Sequence, residues 1–224
     1  MANKKKSIKL SNPSYTKKDI EKLCKGRTAE QKKVIKYFLG GRGCLSITMS
    51  DEEYDAAVMA KVRSMNFQQM ALNKLGLDPS QVNEIAPVHF EAYYSDESKT
   101  YARMGRDKKW RSSAYQVSWI FFSDTQIYVY QYTFNMDNDG KKESTMEYFY
   151  RDVTNFSTST DTVEKEVFEK ISCKGEVTYT RKTVDSDRFT IIVPGDKYYC
   201  SMERSNYTER AIQGMKAKLR EKKI

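Results

Sequence analysis

Tyr115-Gln-Val-Ser-Trp-Ile-Phe-Phe122 and Ile127-Tyr-Val-Tyr-Gln-Tyr-Thr-Phe134 are separated by four residues. Aromatic and β-branched side chains dominate both segments, and such side chains suit the pleated, half-buried surface of a strand. Segments of the same character lie at 146–156, 177–184 and 188–193. The tract 110–202 therefore reads as one strand after another. Asp137-Asn-Asp-Gly140 and Pro194-Gly195-Asp196 fall between such segments. Asp and Gly tolerate the backbone of tight reversals, so both read as hairpin turns. A meander of short antiparallel strands predicts a small β-barrel.

Working outward, Pro87-Val-His-Phe-Glu-Ala-Tyr-Tyr94 reads as the first strand of this region, with a polar, basic loop (95–110) behind it. Residues 161–172 fit a helical face through Val163, Val167 and Ile171, and fit a loop or an irregular strand equally well. After 202 the pattern changes period. Ala211, Ile212, Met215 and Leu219 make an apolar stripe behind Asn206 and Glu209, which read as a helix cap and its box partner.

Upstream, helix start signals recur at Thr16, Thr28-Ala-Glu-Gln31, Ser50-Asp-Glu-Glu53 and Asn66-Phe-Gln-Gln69. Gly40 and Gly76 supply stops, and Asp78-Pro79-Ser80 opens one more turn. The reading divides the chain into a basic, disordered tail (1–15), a helical region (16–84) and a β-barrel with its C-terminal helix (85–224). The fold class is α+β.

Charge is unevenly placed. Of 39 Lys/Arg and 30 Asp/Glu, 13 and three lie within residues 1–50, so that segment carries +10 and the remainder −1. A basic lead-in can meet an acidic protein, nucleic acid or an anionic membrane, or simply stay solvated. Lys4, Lys5, Lys6 and Lys9, at ~1 kcal/mol each near an anionic surface, would give a dissociation constant of only ~1 mM. No apolar run is long enough for a transmembrane helix, and no apolar stretch follows the first lysines as in a signal peptide. Cys24, Cys44, Cys173 and Cys200 form no C-x-x-C pair, which argues against a disulfide framework and a zinc site. A cytoplasmic protein, peripheral to the membrane at most, is the expectation.

The layout of strands followed by one amphipathic helix resembles a pleckstrin-homology-like (PH-like) domain. Phe189-Thr-Ile-Ile-Val-Pro-Gly-Asp196, Tyr199-Cys-Ser-Met202 and Ala211-Ile-Gln-Gly-Met-Lys216 are similar to the end of uncharacterised bacterial proteins with that domain. Ala71-Leu-Asn-Lys-Leu-Gly-Leu77 through Tyr94 is similar to the segment before their barrel. The resemblance covers roughly residues 55–224. It implies a PH-like antiparallel barrel capped by a C-terminal helix, and a binding or scaffolding module without chemistry. PH domains that bind phosphoinositides carry a lysine near the end of the first strand and [Lys/Arg]-x-Arg on the second. Lys99 and Lys109-Trp110-Arg111, with Arg103, Arg106 and Lys108 between them, match that pattern loosely.

These residues define three function classes. The first is a non-enzymatic module that binds a protein partner. The second is a peripheral binder of anionic lipid headgroups or phosphate through Lys99, Arg103, Arg106, Lys108, Lys109 and Arg111, because clustered cations and bidentate arginines suit phosphate oxygens. The third is a nucleic-acid binder through the basic N-terminus (1–42). Tyr128, Tyr130, Tyr132 and Phe134 alternate onto one face, which reads as core before it reads as a base-stacking platform. Asn135–Gly140 falls short of a calcium loop, since its twelfth position is Met146. His89 is the only histidine, so a multi-histidine metal site cannot form and a His-dependent triad has one residue to use. No catalysis, no metal and no cofactor are expected.

Overall fold

The computed structural model describes residues 17–39, 49–95, 100–171 and 177–223. Among these residues four helices come first: α1 (Lys17–Leu23), α2 (Ala29–Leu39), α3 (Asp51–Ser64) and α4 (Phe67–Leu75). Their ends follow the sequence signals. Gln31 and Thr28 form a reciprocal box at α2, with each backbone N–H donating to the other's side-chain oxygen. Ser50 and Glu53 do the same at α3. Asn66 caps α4, which ends at Gly76 with φ of 66°, a left-handed position that glycine adopts at little cost. A short 3-10 turn follows at Pro79–Gln81, capped by Asp78. The starts and stops expected at Thr16 and Gly40 lie outside the described residues.

Nine strands follow among the described residues: β1 (Val88–Tyr94), β2 (Ala102–Met104), β3 (Trp110–Ser112), β4 (Ala114–Phe122), β5 (Gln126–Asn135), β6 (Lys141–Phe149), β7 (Asn155–Ile171), β8 (Val177–Val193) and β9 (Asp196–Ser201). Helix α5 (Asn206–Lys222) completes the described chain. The ambiguous segment 161–172 is strand through Ile171, paired along β8 with one irregularity between Phe168 and Lys170. The two segments expected at 177–184 and 188–193 are one continuous strand, and a 3-10 turn at Tyr150–Asp152 splits the strand expected at 146–156. At α5 the cap is Ser205, with Thr208 as its box partner; Asn206 is already helical.

Among the described residues all pairing is antiparallel, in three sheets ordered β1-β4-β5-β6, β2-β3 and β7-β8-β9. The α+β class with a C-terminal helix therefore holds, but among the described residues the strands do not close into the expected barrel. The physical reason lies at β9. Its outer edge faces the four-stranded sheet and is met by side chains instead of a backbone ladder. Gln116 Oε1 accepts from Ser201 N–H at 2.8 Å, and Gln131 Nε2 donates to the Tyr199 carbonyl at 2.8 Å. Gln116 also donates to Thr133 Oγ1, and Gln131 to Ser118 Oγ. These amides satisfy an edge that would otherwise leave buried backbone groups unpaired.

Strand alternation sends the two faces of the four-stranded sheet into different cores. Val88, Phe90, Ile120, Phe122, Ile127 and Val129 pack with Phe156, Phe189 and Ile191 of the three-stranded sheet and with Ile212, Met215 and Leu219 of α5. Tyr115, Val117, Phe121, Tyr130, Tyr132 and Phe134 pack on the other side, under α1 to α4. The aromatic stripe of β5 is thus core, with the helical region laid over it. No helix among the described residues is long and apolar enough to cross a membrane.

Candidate functional site

The cations of the 99–111 region divide by burial. Arg103 and Arg111 face each other across the β2–β3 hairpin and are 4% and 3% exposed. Arg111 is held by two carboxylates at once. Its Nε and Nη2 donate to both oxygens of Asp55 on α3, each at 2.7 Å, and Nη1 and Nη2 donate to those of Asp107, each at 2.9 Å. Arg103 donates to the Tyr37 carbonyl of α2 and stacks over the Tyr37 ring at 4.5 Å. Arg106, Lys108 and Lys109 are at or near the surface, and Lys99 lies outside the described residues. The pattern that suggested phosphate binding therefore brings together two arginines that bind the helical region.

Further groups complete this latch. Asp51 at the start of α3 accepts from the Tyr37 hydroxyl and from the Arg106 amide, each at 2.8 Å. Burial raises the Asp51 pKa, but those two hydrogen bonds and the Arg111 and Arg103 charges outweigh it and leave the carboxyl below its ordinary value. The Asp107 carboxyl is also held well below the usual range, first by Arg111 and then by the Lys109 amide. Gly105 is required here because a Cβ would run into Arg111 Nη1 and Asp107 Oδ1, and would sit 2.9 Å from Asp51 Oδ2. The hairpin turn also places Lys108 at φ of 62°, which costs a non-glycine residue energy.

Beside the latch is a cleft of about 460 Å³, within the range typical of ligand sites. Met59 of α3, Tyr93 of β1, Trp110 of β3, Tyr115 of β4 and Met202 after β9 supply its apolar surface. Asp55, Lys109, Asp187, Glu203 and Arg204 add charge. Asp55 is engaged by Arg111 and by the Tyr93 hydroxyl at 2.6 Å, and Arg204 donates to Asp187 at 3.0 Å and to Thr160 at 2.9 Å. Tyr93 and Tyr115 are opposite one another in the β1–β4 register, their rings nearly perpendicular with centroids 5.3 Å apart. Lys109 and Arg111 are the residues of the expected site that reach this cleft. Met59, Tyr93, Tyr115, Met202 and Glu203 were not legible as a site, because they come from four separated stretches of sequence.

His89 is stacked on Trp119 at 5.0 Å, and its Nδ1 lies 3.2 Å from the Tyr207 hydroxyl. No three His, Cys, Asp or Glu side chains among the described residues form a metal-binding group. Cys200 is fully buried, and burial pushes its thiol up to about 12. Its thiolate is therefore absent near neutral pH. In native protein Cys200 should resist iodoacetamide at pH 8 and react only after denaturation, as read by peptide mass mapping; rapid native labelling would contradict the packing.

Comparison of the chain with protein-family models, with curated proteins and with solved structures returns no match.

Proposed function

We propose that the chain is a non-enzymatic, cytoplasmic interaction module of PH-like architecture that holds a segment of a partner protein in the cleft between α3, β1, the β2–β3 hairpin and the β9–α5 connection. The PH-like reading is supported by the grouping of strands. Four antiparallel strands pack against three, one C-terminal helix covers the core they share, and β2–β3 forms an added hairpin between the first and second strands of the larger sheet.

The cleft carries the binding reading. Its aromatic and methionine walls give apolar contact to an inserted side chain, and methionine adapts to irregular shapes. The lipid alternative retains the surface cations Arg106, Lys108 and Lys109, because Arg103 and Arg111 are committed inside the fold. For nucleic acid, the aromatic face of β5 is covered by helices and offers no stacking platform.

The test is affinity selection of a random peptide library on the full chain, with counter-selection on Ala102→Trp, which fills the cleft. Peptides that bind the parent at least tenfold more tightly than the variant are the expected result. Peptides indifferent to Ala102→Trp, or none recovered, would overturn the reading. Salt-sensitive binding to phosphatidylserine vesicles, lost on Lys109→Glu, would replace it with the lipid alternative.

A further inference from the structure

Resting on the reading of the cleft as a protein-docking site, we infer that the bound segment presents a cationic side chain, arginine or lysine, seated by Glu91, Glu203 and the Tyr115 hydroxyl against the corner formed by the Tyr93 and Tyr115 rings. Glu91, Tyr93 and Tyr115 share one face of the sheet, since Glu91 and Tyr93 are two apart on β1 and Tyr93 is paired with Tyr115. Glu203 lines the cleft from the connection after β9, and Glu91 stands on β1 two residues before Tyr93, just outside that lining.

Tyr115 is the observation that points to a ligand. The residue is 4% exposed, its hydroxyl has no hydrogen-bond partner among the described residues, and it is not sealed from solvent. Water can reach that hydroxyl in the free protein, and a donor carried by a ligand can take the water's place. Burial raises the Tyr115 pKa first, and the carboxylates of Glu91, Glu203 and Asp55 add to the rise. Asp55 is already neutralised by Arg111. Glu91 and Glu203 have no ion-pair partner among the described residues. Glu91 is half-buried, and loss of solvent raises its pKa, with only His89 opposing and Glu203 adding to the rise.

This is an environment short of one positive charge. An incoming guanidinium or ammonium supplies it, donates to the carboxylates and to the Tyr115 oxygen, and lies against aromatic faces that attract cations. The cations already at the cleft do not meet this need. Arg111 is matched by Asp55 and Asp107, Arg204 by Asp187, and Lys109 is exposed to solvent and makes no ion pair with Glu91 or Glu203 among the described residues.

The experiment is a titration of the full chain, ¹⁵N-labelled, with acetyl-Ala-Ala-Arg-Ala-Ala-amide and with its citrulline counterpart, which keeps the shape and removes the charge. The arginine peptide should shift amide resonances at 91–93, 115 and 203, and the citrulline peptide should bind about tenfold more weakly, the loss of one charged hydrogen bond. Glu91→Gln and Glu203→Gln should each weaken the arginine peptide by a similar factor. Tyr115→Phe should weaken it several-fold with the melting temperature retained. Equal binding of the two peptides, no shifts at these residues, or indifference to both Gln variants would overturn the inference. Selected peptides that need the open cleft but carry no basic residue would overturn it while leaving the docking reading intact. Absence of any cleft-dependent peptide would remove both.

Discussion

Arg111→Ala is expected to lower the free energy of unfolding by about 3 kcal/mol, because it leaves two carboxylates without their cation in a partly buried place. Removing one partner from a fully buried pair costs ~3–5 kcal/mol. The lower end applies because the Asp55 and Asp107 side chains are 41% and 39% exposed and recover some hydration. Arg111→Lys should fall between, since an ammonium keeps the charge but cannot make two bidentate contacts. The loss should be local as well as global. Amide hydrogen exchange in α3 should accelerate more than in α5, because Asp55 and Asp51 on α3 are the residues the hairpin holds. A loss below ~0.5 kcal/mol, the range of ordinary surface substitutions, would show that the latch contributes little.

The same latch has an acid limit. Asp107 and Asp51 have carboxyls depressed in the folded state, so the unfolded chain takes up protons first as pH falls. Their stabilisation is fully present above the unfolded carboxylate value of ~4 and is lost as pH drops through their lower folded values. Urea denaturation should therefore show a constant gap between wild type and Arg111→Ala from pH 8 to pH 5. The gap should shrink below about pH 4.

Phe189→Ala is the second large effect, with an expected loss of ~3–5 kcal/mol. Phe189 is fully buried on β8, 4.9 Å from Phe90 of the larger sheet and 5.5 Å from Phe156 beside it on β7. It joins the two sheets that no backbone ladder connects, so its removal leaves a cavity where the layers meet. Against a typical net stability of ~5–15 kcal/mol, that is enough to lower the melting temperature by many degrees. Phe149→Ala, on the exposed side of β6 at 43%, is the control and should change stability by no more than ~0.5 kcal/mol. Similar losses for both would mean that the sheets do not pack through Phe189.

Local chemistry was well recorded in the residues. Ser50 and Glu53 make the box their spacing implies, and Gly76 takes the left-handed turn that ends α4. The period-two pattern of β5 correctly separated Tyr130, Tyr132 and Phe134 from Ile127 and Val129. Where two local rules competed, the reading was less secure. Val163, Val167 and Ile171 have helical spacing, yet the segment pairs with β8 as strand. Asn206 and Ser205 are both capping residues, and one position decides which of them stands outside the helix.

The candidate site was less legible. Lys109, Trp110 and Arg111 were visible as a cationic triplet, and charge alone suggested a ligand outside the protein. Their partners are Asp55, 56 residues before Arg111, and the Asp107 that the turn around Gly105 brings back. Neither partner is implied by the triplet.

What the sequence determined by itself is most of the helix caps, the hairpin turns and the two faces of β5, because capping, turn geometry and hydrophobic period act over a few residues; β2, inside the loop expected at 95–110, and the unbroken length of β8 were not among them. It also determined the α+β class and the position of the last helix. Tertiary structure alone decided that the helical region lies on the outer face of β4 and β5, and that Gln116 and Gln131 stitch β9 to the larger sheet. It likewise decided that Arg111 faces inward and that Tyr115 opens into a cleft with Glu203 beside it. The reason is distance along the chain. A buried charge or phenol is defined by groups tens of residues away, and residue order carries no record of which of them folding brings within hydrogen-bond reach.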